Sequence, residues 1–174
     1  LIGDIMHFKS TLLALLLAAC AASAAELPKD LVVDQPPADA LSVVEARAKV
    51  KPGDAITLRG YVGGRAKPFV DGRAMFVLAD PAKVQPCDAA PGDSCPTPWD
   101  ACCTSRDDIK AGTATIQVAG ADGKVVSATL EGVGGVKAGS SVIVIGTVSK
   151  LSNDQVLIVD ATRLYVQPAA AKQP

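Results

Sequence analysis

One stretch of this chain is written twice. Val50-Lys-Pro-Gly-Asp-Ala-Ile-Thr-Leu-Arg-Gly-Tyr-Val62 aligns without gaps onto Val136-Lys-Ala-Gly-Ser-Ser-Val-Ile-Val-Ile-Gly-Thr-Val148, with a shared Val-Lys-x-Gly opening and a Gly-x-Val ending. Each copy reads as a turn feeding a strand that carries a glycine near its far end. A glycine inside a strand marks a bulge or the sharp coil at which a sheet bends. The copies are too few and too far apart for a solenoid, so they point to a small sheet that curls toward closure.

The remaining patterning agrees. Ala55 to Val62 alternates with period two, with Ile56, Leu58 and Val62 on one side and Thr57, Arg59 and Tyr61 on the other. Arg73 to Ala79 is almost continuously apolar after its first residue, as in a strand covered on both faces. Ala114 to Val118 and Lys124 to Leu130 flank the turn signal Ala121-Asp-Gly123 and read as a hairpin or one bent strand. Val142 to Val148 and Val156 to Val166 close the series. Before them, Ser42 and Glu45 have the spacing of a capping box and open a short helix with Leu41, Val44 and Ala48 on one face. The expected fold is all-β: a five-stranded, partly open Greek-key barrel with a short N-terminal helix and a cysteine-rich loop between strands two and three. Ile56, Leu58, Val62, Val142, Val144 and Val148 should share its interior.

The chain's beginning has the layout of an export signal. His7 and Lys9 precede the apolar run Thr11 to Ala19, which is too short to span a bilayer, since spanning needs roughly 20 apolar residues. Met6 reads as the initiator. Ala22-Ser-Ala24 offers a signal-peptidase site before Ala25, whereas Leu17-Ala-Ala-Cys20 resembles a lipobox in which Cys20 becomes the lipid-bearing residue; both readings stand. The resulting division is a signal over 1–24, a proline-containing linker over 25–40, a folded domain over 41–167 with an insertion at 81–110, and a tail over 168–174. About 150 residues after the leader suffice for one domain. The expected location is the periplasm or cell envelope, with membrane attachment only through a lipid on Cys20.

Four of the five cysteines fall in the insertion, spaced Cys87-x7-Cys95-x6-Cys102-Cys103. In an exported chain this composition predicts two disulfides. A bond between Cys102 and Cys103 would strain its own backbone, so Cys87 and Cys95 are expected to pair with Cys102 and Cys103 in an order the spacing leaves open. The alternative is a four-thiolate zinc or copper site. Against it stand the absence of short ligand spacing on the first side and of any histidine after the leader. Trp99, the only tryptophan, reads either as an anchor that packs the loop onto the barrel or as a platform for a ligand.

No catalytic constellation is present, because nucleophilic mechanisms of the serine or cysteine type need an imidazole base and the sole histidine lies in the leader. Asp107 and Asp108 follow Arg106 and read as a loop-end cap. A net charge of -1 gives no global attraction to nucleic acid. What remains is a binding surface. Arg59 and Tyr61 project from strand one, and Arg65, Lys67, Phe69 and Arg73 follow in the connection to strand two. Basic groups interleaved with rings are also what a single-stranded nucleic acid requires.

Leu41-Ser-Val-Val-Glu-Ala-Arg47 followed by Gly53-Asp-Ala-Ile-Thr-Leu-Arg-Gly-Tyr-Val62 resembles the opening of exported bacterial OB-fold modules. In these a short Ser-Val-x-Glu-Ala helix precedes a first strand of pattern Val-x-Leu-x-Gly-x-Val. Cys95-Pro-Thr-Pro-Trp-Asp-Ala-Cys-Cys103 is similar to a motif of uncharacterised exported proteins of planctomycete and verrucomicrobial type, which carries no assigned activity. The first resemblance implies an OB-fold spanning Leu41 to Val166. One departure is Glu131-Gly-Val-Gly-Gly-Val-Lys-Ala-Gly139, too glycine-rich for the helix that many OB-folds place there. The expected function is therefore a non-enzymatic binding module without a cofactor, taking a protein, glycan or small ligand. The alternatives are metal binding (Zn or Cu) through the four cysteines and binding of single-stranded nucleic acid.

Overall fold

The computed structural model describes residues 26–168 apart from 90, 91 and 93. The expected leader, its cleavage sites, Cys20 and residues 169–174 lie outside the described residues. Five strands, β1 (Ala55–Val62), β2 (Met75–Ala79), β3 (Thr113–Gln117), β4 (Ser141–Val148) and β5 (Ile158–Val166), form a closed barrel in the order β1-β2-β3-β5-β4. Two short helices, α1 (Val43–Lys49) and α2 (Arg106–Gly112), accompany it. All neighbours are antiparallel except β3 and β5, which run parallel with Thr115 beside Ile158 and Gln117 beside Asp160. That pairing makes the barrel closed rather than partly open. It is reinforced by a 2.6 Å hydrogen bond from Gln117 Nε2 to Asp160 Oδ1.

The two copies of the repeated unit lie against each other. β1 pairs with β4 so that Leu58 faces Val144, and these are equivalent positions in the alignment. The repeat therefore surrounds a local two-fold axis, with each copy's glycine near the far end of the pair. Both glycines sit where another strand comes close. A Cβ on Gly60 would lie 2.6 Å from the carbonyl oxygen of Ala79, and one on Gly146 would collide with the backbone of Asp160. Just past Gly60, β1 gains β2 on its second edge while Tyr61 is still paired with β4, and beside Gly146 the register with β5 shifts by a bulge.

All six expected interior residues, Ile56, Leu58, Val62, Val142, Val144 and Val148, are buried in one core with Phe76, Ile116 and Leu164. Helix α1 begins as its sequence dictates: Glu45 N donates to Ser42 Oγ and Ser42 N to Glu45 Oε2. Its inward face is Val43 and Ala46, however, while Val44 is 41% exposed. Leu41 leaves the helical face altogether. It adds to β1 as a bridge partner of Leu58, giving an amide bond to Thr57 O and accepting one from Arg59 N. Residues 124–130 form no strand; they reach the barrel through one bridge, Ala119 to Val125, and through buried Val126 and Leu130. Between β3 and β4 there is only a 3-10 turn, Val133–Gly135, with Gly132 and Gly134 in the left-handed region.

The segment expected to be a linker is partly built into the domain. Leu31 is 1% exposed within the main core, and residues 31–33 exchange backbone hydrogen bonds with Leu164 of β5. The apolar triplet Leu31-Val-Val33 supplies the reason, because burying Leu31 removes apolar surface from water and pairing with Leu164 satisfies the backbone groups that become ordered. Leu31→Ala is expected to lower the unfolding free energy by about 2 to 5 kcal/mol, the range for a buried leucine left as a cavity. Urea titration followed by circular dichroism measures it; a change under about 0.5 kcal/mol would return this segment to the status of a tether.

Candidate functional site

The cysteine insertion is docked on the barrel by a second, smaller core. Tyr61, Ala79, Val84 and Ala101 are buried together with Ile109 against them. Tyr61 thus does not offer its ring to solvent, as its place on the outer face suggested. The ring lies beneath the insertion, 6% exposed, and its hydroxyl donates a 2.9 Å hydrogen bond to the carbonyl of Val84. Burial pushes the phenol well above its ordinary pKa, with the neighbouring Cys87, Asp100 and Asp88 adding to the shift. Asp80, 2% exposed, fixes the insertion's start: Oδ2 accepts from Val44 N of α1 and Oδ1 from Ala82 N.

The insertion ends in α2, which the loop-like composition concealed. Its start was nevertheless written in the chain: Ser105 Oγ accepts from Asp108 N and donates to Asp108 Oδ2, with acidic residues in the first turn and Lys110 in the last. Asp108 also meets Lys83 Nζ at 2.7 Å, which lowers the carboxyl's pKa and raises the amine's.

The sulfurs of Cys87, Cys95 and Cys102 converge, all within 4.8 Å of one another. Cys87 and Cys102 approach to 3.6 Å and Cys102 and Cys103 to 3.8 Å, well beyond the roughly 2.05 Å of a disulfide, and all four cysteines are thiols. The four sulfurs of the expected staple thus stand close together with no disulfide between them. The loop's backbone closes the arc, with Cys87 N donating to Asp100 O at 2.8 Å and Asp88 N to Pro98 O at 3.1 Å. Burial pushes the Cys87 thiol up to about 12, whereas hydrogen bonds with Thr97 lower the Cys95 thiol.

Trp99 ties this loop to the segment after β1. Its carbonyl accepts from Gly64 N, its indole Nε1 donates to Ala66 O at 3.0 Å, and the half-buried ring is held from both ends. Beside it opens a cleft of about 1420 Å³, bounded by β1, the insertion, residues 134–141 and the end of β5. Arg59, Tyr61 and Trp99 line it together with Lys137 and Tyr165, which the sequence reading did not single out. Tyr165 is found by carrying β5's alternation past Leu164, since it falls on the outward side. Arg59 is anchored by its Nε on Ala40 O and lies 3.7 Å from Glu45.

The other expected ligand residues are not among those lining this cleft. Arg65 and Lys67 are exposed on the bend beside Trp99, and Arg73 ends the turn at the tip of the hairpin leading into β2. Phe69 is a satellite of the core: it bridges to Phe76, with ring centroids 6.1 Å apart. A smaller cleft of about 510 Å³ lies where α1 and α2 meet residues 148–157, with Arg47 and Lys110 balanced by Asp107 and Asp154. Comparison with family models, curated proteins and solved structures finds no match to this chain.

Tyr61→Phe removes the side-chain bond to the Val84 carbonyl while keeping the ring. It is expected to cost about 1 to 3 kcal/mol, the penalty for stranding a buried polar group, and to speed amide exchange in residues 81–89 ahead of the strands. Uniformly unchanged exchange would show that the hydroxyl does not hold the insertion down.

Proposed function

We propose that this chain is an exported, non-enzymatic OB-fold binding module of the bacterial periplasm or envelope, which takes a neutral, extended ligand such as a glycan or peptide segment in the large cleft. The barrel order, with β1 between β2 and β4 and with β3 parallel to β5, supports the OB reading and its Greek-key connectivity. The apolar leader supports export. For the binding role, the observation that carries the reading is the meeting of Arg59, Trp99 and Tyr165 around one cavity. Flat apolar faces beside a few directed polar groups are the makings of a binding site.

The same cleft argues against a polyanion. Arg59 and Lys137 are matched there by Asp80 and Asp88, while Arg65, Lys67 and Arg73 lie elsewhere. Nucleic-acid binding is thereby the weaker reading.

Because Trp99 is the only tryptophan and lines this cleft, its fluorescence responds to an occupant there. Titration with neutral oligosaccharides and uncharged peptides is expected to give a saturable emission change that varies little with salt. Arg59→Ala combined with Tyr165→Ala should weaken it by roughly tenfold or more, an amount corresponding to about 1.4 kcal/mol, with stability nearly unchanged. A response only to oligonucleotides, falling steeply with salt, would favour the polyanion reading instead.

A further inference from the structure

We propose that Cys87, Cys95 and Cys102 form a binding site for one thiophilic d10 cation, Zn(II) or Cu(I), with Cys103 within reach as a fourth thiolate. The inference is independent of what occupies the large cleft. Its basis is convergence. Disulfides join sulfurs two by two, whereas here Cys102 is near both neighbours at once, 3.6 Å from Cys87 and 3.8 Å from Cys103, and Cys95 completes a group of three within 4.8 Å. For metal-to-sulfur bonds of about 2.3 Å, the edge of a tetrahedron of sulfurs is about 3.8 Å. The separations of 3.6 Å and 3.8 Å therefore match that edge, and the group of three within 4.8 Å needs little contraction to share one centre.

The loop presents these sulfurs in a prepared arrangement. The 3-10 turn Cys87–Ala89 is zipped to residues 98–100 by two backbone bonds, which fold the chain back so that Cys102 returns to Cys87. Cys95 is oriented by Thr97, whose hydroxyl oxygen is 3.4 Å and carbonyl oxygen 3.6 Å from the sulfur. Cys87 is buried, Cys95 half-buried, and Cys102 and Cys103 exposed. One side of the site is thus closed by protein while the other is open to an arriving ion.

Ligand chemistry narrows the cation. Among the described residues the cluster contains sulfur ligands only, and the chain's sole histidine, His7, lies in the leader. An all-thiolate set selects Zn(II) or Cu(I) over the oxygen-seeking Mg(II) and Ca(II). Each ligating thiol releases one proton to solvent as its bond to the metal forms, and no electron is transferred.

The test uses the full chain, reduced and stripped of metal, titrated separately with Zn(II) against a chromophoric chelator and with Cu(I) under anaerobic conditions. One equivalent of at least one cation is expected to bind, accompanied by slowed amide exchange across residues 87–103. Cys87→Ser and Cys102→Ser should each weaken binding by more than the roughly 10 to 100-fold typical of an outer-sphere change, and Cys103→Ser by less than about tenfold. Slowed exchange in the unsubstituted chain gives a reading even if a buried-site variant fails to fold. The proposal is overturned if neither cation binds the reduced protein, or if protein recovered from the periplasm carries two disulfides and no metal. A loss at Cys103→Ser equal to that at Cys87→Ser would overturn the division between the three inner ligands and the fourth.

Discussion

A strand can take up a second neighbour only where that neighbour may approach its backbone closely, and in β1 that place is Gly60. A methyl group there would lie 2.6 Å from the Ala79 carbonyl oxygen and 2.9 Å from Leu78 Cγ. β1 is paired along one edge with β4 as far as Tyr61, and from Tyr61 it takes up β2 on its other edge, with Tyr61 facing Ala79 and Val62 facing Leu78. Gly60, just before that second pairing begins, leaves the space in which β2 comes close. With closure come the burial of Leu58 and Val62 on the inside and the placement of Tyr61 on the outside, where the insertion covers it.

From that contact the proposed site follows by short steps. Tyr61 holds Val84 through its hydroxyl, Gly64 holds Trp99 through its backbone, and Trp99 holds Ala66 through its indole. The insertion is consequently attached at three points to residues that soon follow Gly60. Its far end is fixed by α2 and the Lys83 to Asp108 pair. The latter is an exposed contact of the kind that contributes little to stability, about 0 to 1 kcal/mol. The buried contacts of Tyr61 are therefore the main physical reason that the cysteine loop has a defined place on the barrel.

The barrel was legible because its signals are periodic: alternation assigned Ile56, Leu58 and Val62 to the core, and the repeated Gly-x-Val marked both close approaches. Signals without a period were harder to read. Leu31-Val-Val33 is too short to show alternation, and only tertiary pairing with Leu164 reveals it as part of the domain. Val43 and Ala46, rather than Val44 and Ala48, face inward because Leu41 is committed to β1 and so sets the rotation of α1. Tyr61 has the correct strand face but the wrong environment: period two separates the barrel interior from its exterior and says nothing of an insertion lying on that exterior. The convergence of Cys87, Cys95 and Cys102 belongs to the same class, since it arises from backbone bonds between residues 87–88 and 98–100 that no spacing rule encodes.

The dependence of both the barrel and its covered outer face on one close backbone contact is tested most directly by Gly60→Ala, followed by denaturant unfolding and by Trp99 emission under native conditions. The expected result is a loss of about 1 to 3 kcal/mol, the usual cost of forcing extra volume into a packed site. A red shift of Trp99 emission should accompany it as the insertion loosens. Unfolding and emission both identical to those of the unsubstituted chain would contradict this account, because β2 would then pack against β1 without needing the space that glycine leaves.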